Sequence, residues 1–158
     1  MLLDLTGDDR LMRTTPFDDE CRQLADHHYS RRTVGARQFA YSGRKLVLRN
    51  ASGSVLWVWM FPDPTMRMDG QTGYNNAIFR NESDRLSSEI VLEAGWHAVQ
   101  MWGPNRAYTY IDPSKVNSVN PGYCFKQAGW TNVRRPDGTI WLSADGKHLL
   151  EKQLLSAQ

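Results

Sequence analysis

The sequence predicts a single α/β (α+β) domain with a central mixed sheet flanked by helices. Three observations predict it. The chain has 158 residues, one domain's length. Short β-branched and aromatic runs alternate with helical patterns instead of segregating into blocks. The composition, 41% hydrophobic and 23% charged, is that of a chain that buries one core and is not disordered.

The first element is a helix. Thr14-Thr15-Pro16 starts it, and Asp18, Asp19 and Glu20 sit at its positive end. It runs to about Tyr29, with Cys21, Leu24 and Ala25 on one face, and residues 1–15 precede it as an N-terminal extension. The basic, polar run Ser30–Arg37 reads as a loop. A hairpin follows, with strands over 45–49 and 55–61 and the turn Asn50-Ala51-Ser52-Gly53 between them. The second of these strands is apolar throughout and is expected to be covered on both faces. A strand over 76–81 comes next. A helix begins near Ser83 or Asp84, and Leu86, Ile90, Ala94, Ala98 and Met101 recur along it at helical spacing until Gly103-Pro104 stops it. Tyr108–Ile111 is a strand ending in Asp112-Pro113. A broken helical segment covers 114–128 and ends at Gly129. Strands 130–133 and 139–142 form a hairpin around Pro136-Asp137-Gly138. The tail, 146–158, is expected to be a short helix.

Charge and composition narrow the function classes. Net charge is +2, which excludes a strongly basic tail but not a local basic patch. Cys21 and Cys124 are too few for a disulfide scaffold and lack metal-site spacing. No apolar run approaches the ~18 residues of a membrane span. Asp4, Asp8 and Asp9 break any secretory h-region, so a cytoplasmic protein without a membrane partner is expected. Arg31, Arg32 and Arg37, followed by Arg44 and Lys45, form a basic stretch suited to phosphates. Arg80, Arg85, Lys115 and Lys126 could extend it.

The run Gly122-Tyr123-Cys124-Phe125-Lys126-Gln127-Ala128-Gly129-Trp130 resembles the C-terminal half of GNAT acyltransferases, and the element order from Lys45 to Leu142 is similar to theirs. The resemblance implies a GNAT-like single domain. One departure bears on the donor. GNAT enzymes hold the acyl-coenzyme A pyrophosphate on a glycine-rich loop at a helix N-terminus. The corresponding stretch here, Arg80 to Ser88, has no glycine and carries Glu82 and Asp84. Acyl-coenzyme A is therefore not the expected donor.

More narrowly, the chain resembles the Mom-type DNA modification proteins of bacteriophages. The resembling pieces are His28-Tyr29-Ser30-Arg31-Arg32, Phe79-Arg80-Asn81-Glu82 with Ser87-Ser88-Glu89, Tyr110-Ile111-Asp112-Pro113, and Gly122-Tyr123. This resemblance implies a DNA-binding enzyme that adds a carbamoylmethyl group to adenine N6 and protects DNA from restriction, using a small-molecule donor. It implies catalytic roles for His28, Tyr29, Asp112 and Tyr123, with iron as a participant.

The residues themselves support several chemistries. His28 closes a helix beside a basic loop, and Asp112 follows a strand end, where open sheets place ligands. With one further ligand the two could hold a metal, although they fall one histidine short of a two-His-one-carboxylate triad; His97 and His148 are the remaining candidates. Tyr29 and Tyr123 could stack on an extruded base. Asn81 could read an adenine edge, with Glu82, Ser87 and Ser88 beside it as substrate contacts. Three functions stay open: DNA base modification; conventional acyl-coenzyme A-dependent N-acetyl transfer, with Glu82 or Asp112 as base and Tyr123 as acid; and non-catalytic nucleic-acid binding. The oligomeric state stays open too, a homodimer included.

Overall fold

The computed structural model describes residues 10–28, 30–31, 33–40, 43–62, 69–116 and 120–156. The elements in chain order are β1 (Met12–Thr14), α1 (Asp19–Asp26), β2 (Arg44–Arg49), β3 (Val55–Phe61), β4 (Tyr74–Asn81), α2 (Ser87–Trp102), β5 (Asn105–Ile111), α3 (Tyr123–Gln127), β6 (Thr131–Asn132) and β7 (His148–Leu154). They build the expected α/β architecture around a mixed seven-stranded sheet of order β1-β2-β3-β4-β5-β7-β6.

Local chemistry explains each early element. Asp18 caps α1 by accepting from the Cys21 amide at 3.1 Å. The same carboxylate accepts two bonds from the Arg49 guanidinium, at 2.9 and 3.1 Å, and so ties the helix to the end of β2. In the β2–β3 turn, Asn50 Oδ1 accepts from the amides of Ser54 and Val55. Trp57 and Trp59 of β3 are fully buried, and Trp59 Nε1 donates to the Ala94 carbonyl of α2 at 2.8 Å. β3 is buried over six of its seven residues, as its unbroken apolar sequence predicts.

The sheet has a core on each face. On one face, α2 and α3 pack through Ile90, Ala94, Ala98 and Phe125 onto Leu48, Trp57, Trp59 and Tyr74. On the other, Cys21, Leu24 and Ala25 of α1 join Phe39, Val47, Val58 and Ile78.

Several boundaries differ from expectation. The N-terminal extension contributes β1, which pairs with β2. α2 begins at Ser87, because Asn81 and Ser83 take up the preceding residues in side-chain turns. Leu86 and Met101 end up exposed, so the buried stripe is only its middle part. Of the helical segment expected over 114–128, α3 is the helical part among the described residues, and 117–119 lie outside them. The final hairpin exists as the bridge Arg134↔Ile140, without a full ladder. The tail is a strand and not a helix. β7 inserts between β5 and β6, pairing antiparallel with both. Its sequence, rich in Leu, Glu, Lys and Gln, favours a helix locally, but two open strand edges impose the extended form.

Candidate active site

The sheet splits in its middle. β4 and β5 are the one parallel pair among its strands, and they stay together for only three residue pairs, Tyr74↔Ala107, Asn75↔Tyr108 and Asn76↔Thr109. Beyond that point β4 runs on to Asn81 and β5 to Ile111 without facing each other. The cause lies in β4. Val58 of β3 pairs with Ile78 and Trp59 with Asn76, leaving Ala77 without an opposite residue. Such a bulge bends its strand and twists it harder. It also turns Ala77 and Ile78 toward the α1 face while Tyr74 and Phe79 stay with the α2 face.

Asn76 and Thr109 seal the apex. Asn76 Nδ2 donates to the carbonyls of Val58 and Ile78, at 3.3 and 2.9 Å, which flank the bulge. Thr109 Oγ1 donates to Asn76 Oδ1 at 3.1 Å and to its carbonyl at 3.2 Å. Both side chains are buried.

The gap holds a cavity of about 710 Å³, lined from both faces of the sheet. His28, Arg31 and Phe39 come from the α1 side, Tyr123 and Phe125 from the α3 side, and Asn75 to Phe79 and Thr109 to Ile111 from the parting strands. No Asp or Glu is among the described residues that line it.

Two of the sequence-predicted catalytic residues, His28 and Tyr123, therefore line the same cavity. His28 Nδ1 accepts the Ser30 amide at 3.1 Å, and it lies 2.7 Å from Ser30 Oγ. A backbone amide can only donate, so the ring proton of neutral His28 is on Nε2. Burial pulls the imidazole down to about 4, and the charge of Arg80 acts in the same direction. His28 is thus a neutral donor at physiological pH. Tyr123 is the first residue of α3 and is 55% exposed, with Gly122 before it in a left-handed conformation at φ 79°. Tyr29 lies outside the described residues.

Asp112 is placed differently. It does not line the cavity; its Oδ1 accepts from the Ser114 amide and hydroxyl, at 3.0 and 2.6 Å. Those bonds hold its carboxyl below the usual range. His28 Nδ1 and Asp112 Oδ1 are both committed to local partners. No group of three His, Cys, Asp or Glu side chains arranged for a metal occurs among the described residues. Among the described residues His28 and Asp112 do not form a shared ligand set.

The expected substrate contacts are mostly structural. Asn81 Nδ2 donates to the Arg85 carbonyl and to Ser87 Oγ, and its Oδ1 accepts from Ser83. Asn81 therefore shapes the β4–α2 junction and does not read an adenine edge. Glu82 pairs with His27 at 2.8 Å and Arg80 at 2.9 Å, and these bonds lower its pKa. Ser88 makes no side-chain hydrogen bond among the described residues.

The basic stretch divides as well. Arg31 is not a phosphate arm: its guanidinium is buried on Asp26 at 2.8 Å and on the Ala36 carbonyl, and it holds the 30s loop together. Arg37 is exposed and lies 5.9 Å from the Phe17 ring centre. Lys115 is exposed. Arg32 lies outside the described residues. Cys21 is buried and its thiol is pushed up to about 12; burial also raises Cys124, so neither is an activated nucleophile.

Asn75, Asn76 and Thr109 are the site residues that sequence reasoning missed. Their signal was available, since two adjacent asparagines are unfavourable inside a strand.

The bulged β4, its brief parallel pairing with β5, the helix between them and the antiparallel strands outside them make this a mixed α/β fold. Among solved structures, one of a candidate phosphinothricin N-acetyltransferase is similar, at 16% identity and a TM-score of 0.44, over 91% of this chain and 83% of that one. No family model matches the chain. No curated protein matches it. No described helix is long and apolar enough to cross a membrane.

Proposed function

We propose that the protein is a group transferase that moves an acyl-type group onto an amine nitrogen held between β4 and β5. The supporting observation is the convergence of His28 and Tyr123, from opposite faces of the sheet, on one cavity where the strands part.

Such a transfer needs a polarised acyl oxygen, a protonated leaving group and loss of a proton from the amine. A neutral imidazole with its proton on Nε2 suits the first need, because it donates to an oxygen gaining charge without being a cation. The Tyr123 hydroxyl suits the second as proton donor. The amine's proton passes to water at the open side of the cavity. With no carboxylate among the described lining residues, neither Glu82 nor Asp112 serves as the base.

A second reading makes the amine the exocyclic nitrogen of adenine in DNA, as the Mom-type resemblance implies. The lining supports it: Phe39, Phe79, Tyr110 and Phe125 are aromatic, and none of the described lining residues is acidic. In this reading the exposed Arg37 and Lys115 meet phosphate.

One experiment tests both. Purified protein is incubated with acetyl-coenzyme A and a panel of primary amines while thiol release is followed. In parallel, nucleosides from DNA of expressing cells are resolved by mass spectrometry. Each arm uses wild type beside Tyr123→Phe and Asp112→Ala. Thiol release that depends on Tyr123 supports ordinary amine acylation, and a modified adenosine that depends on it supports DNA modification. Absence of both overturns the proposal.

A further inference from the structure

We propose that Asp26 and Arg31 are positioning residues for His28: their ion pair clasps the loop over 30–38, and that loop holds the imidazole in place at the cavity. This rests on the group-transfer reading and adds the device that sets its imidazole donor.

The place of the His28 ring depends on the backbone of Ser30. The amide of His28 donates to the Ala25 carbonyl at 2.9 Å, so its main chain still belongs to the end of α1. Its Nδ1 accepts the Ser30 amide, and the Arg31 amide donates back to the His28 carbonyl at 3.1 Å. A backbone amide moves only with its loop. The ring is therefore as fixed as residues 30 and 31 are.

Arg31 and Asp26 supply the fastening. Arg31 Nε donates to Asp26 Oδ1 at 2.8 Å, and the same oxygen accepts the Gly35 amide at 3.0 Å. The other guanidinium nitrogens donate to the carbonyls of Ala36 and Gln38. One carboxylate thus ties the end of α1 to residues 31 and 35, and one guanidinium carries the tie on to 38. The two side chains are 15% and 8% exposed, so water screens the pair far less than it would a surface pair. Every hydrogen bond that residues 30–38 make among the described residues ends within 26–38. The next fastening to the rest of the chain is Phe39, which is buried and whose amide donates to the Pro16 carbonyl at 3.3 Å.

The clasp acts on the cavity from outside it. Ser30, Arg31, Thr33, Ala36 and Gln38 line the cavity, and Asp26 does not. With the clasp broken, the loop is held at its two ends alone, water reaches the imidazole, and the ring loses its fixed place.

The test compares wild type, Asp26→Asn, Arg31→Met and the double variant. NMR titration follows His28, assigned with His28→Gln. Wild type is expected to titrate at about 4, and each variant should move upward toward the ordinary 6.5. Asp26→Asn separates position from charge. Deleting a negative charge directly would lower the imidazole further, so a rise reports hydration of a released ring. The second readout is thiol release with acetyl-coenzyme A, or the yield of modified adenosine, whichever the wild type shows. Thiol release should lose about 10- to 100-fold in kcat with KM little changed, and the adenosine yield should fall in parallel. The double variant should lose no more than either single one, because the two residues act as a unit. It also serves if a single variant, with one buried charge left alone, does not fold. A His28 titration unmoved or lowered in Asp26→Asn, or losses that add in the double variant, overturns the proposal. Transfer that ignores both substitutions rejects this inference alone, and a released His28 in a protein without transfer rejects the reading beneath it.

Discussion

The hydroxyl of Thr109 donates to the side-chain oxygen of Asn76 at 3.1 Å, across the last pair of residues at which β4 and β5 lie side by side. Everything that distinguishes this sheet begins there. On one side of the bond the strands form a ladder, and on the other they enclose the cavity.

Thr109→Val removes that bond while keeping the side chain's shape. Two buried acceptors on Asn76 then lose a donor, which should cost about 1–3 kcal/mol. Urea unfolding should show a lower midpoint with an unchanged slope. A midpoint equal to wild type would mean that the apex is held by the backbone alone.

The buried state of His28 makes stability depend on pH. Its imidazole is held at about 4 against an ordinary 6.5. Between those values the unfolded chain binds a proton that the folded chain refuses, so stability rises with pH across the window. The contribution is complete above about 6.5 and is lost as pH falls toward about 4. Urea unfolding at several pH values should show that slope, and His28→Gln should flatten it. An unchanged slope in the variant would place the titration elsewhere.

Gly122 fixes where Tyr123 stands. It has φ 79°, and a Cβ built on it would lie 2.5 Å from Leu150 Cδ1. Gly122→Ala should therefore lose about 2 kcal/mol or more, from the left-handed backbone and from overpacking together. Thermal unfolding measures that loss. Transfer activity should fall further than Tyr123→Phe alone explains, because the whole start of α3 shifts; activity equal to wild type would separate Tyr123 from the chemistry.

Much of the fold was legible because local and tertiary preferences agree. The β2–β3 hairpin declared itself through Asn50 and Gly53, and β3 through its uninterrupted apolar run. α2 declared itself through Ile90, Ala94 and Ala98. Legibility failed where tertiary pairing overrode propensity, as in β7, where Leu149 and Leu150 are buried by two neighbouring strands. The site was half legible. His28 and Tyr123 were found through resemblance, and the cavity joins them. Asn81 and Arg31 were chosen for their chemistry, but their hydrogen bonds are spent inside the protein. Asn76 and Thr109 escaped notice because the paired asparagines signal only that the strand is irregular, while the bulge they serve belongs to a strand pair.

The short β4–β5 pairing has a kinetic consequence. β2 to β4 form an antiparallel meander whose partners are close in sequence, whereas β5 finds β7 only after α3, β6 and the loops between them have been crossed. Loop-closure entropy favours the first set of contacts and delays the second. Pulse-labelled hydrogen exchange should protect Leu46 and Trp57 before Tyr108 and Leu150; simultaneous protection would contradict this order. The cleft that holds the substrate is then also a seam in time, along which an early half of the sheet receives a late one.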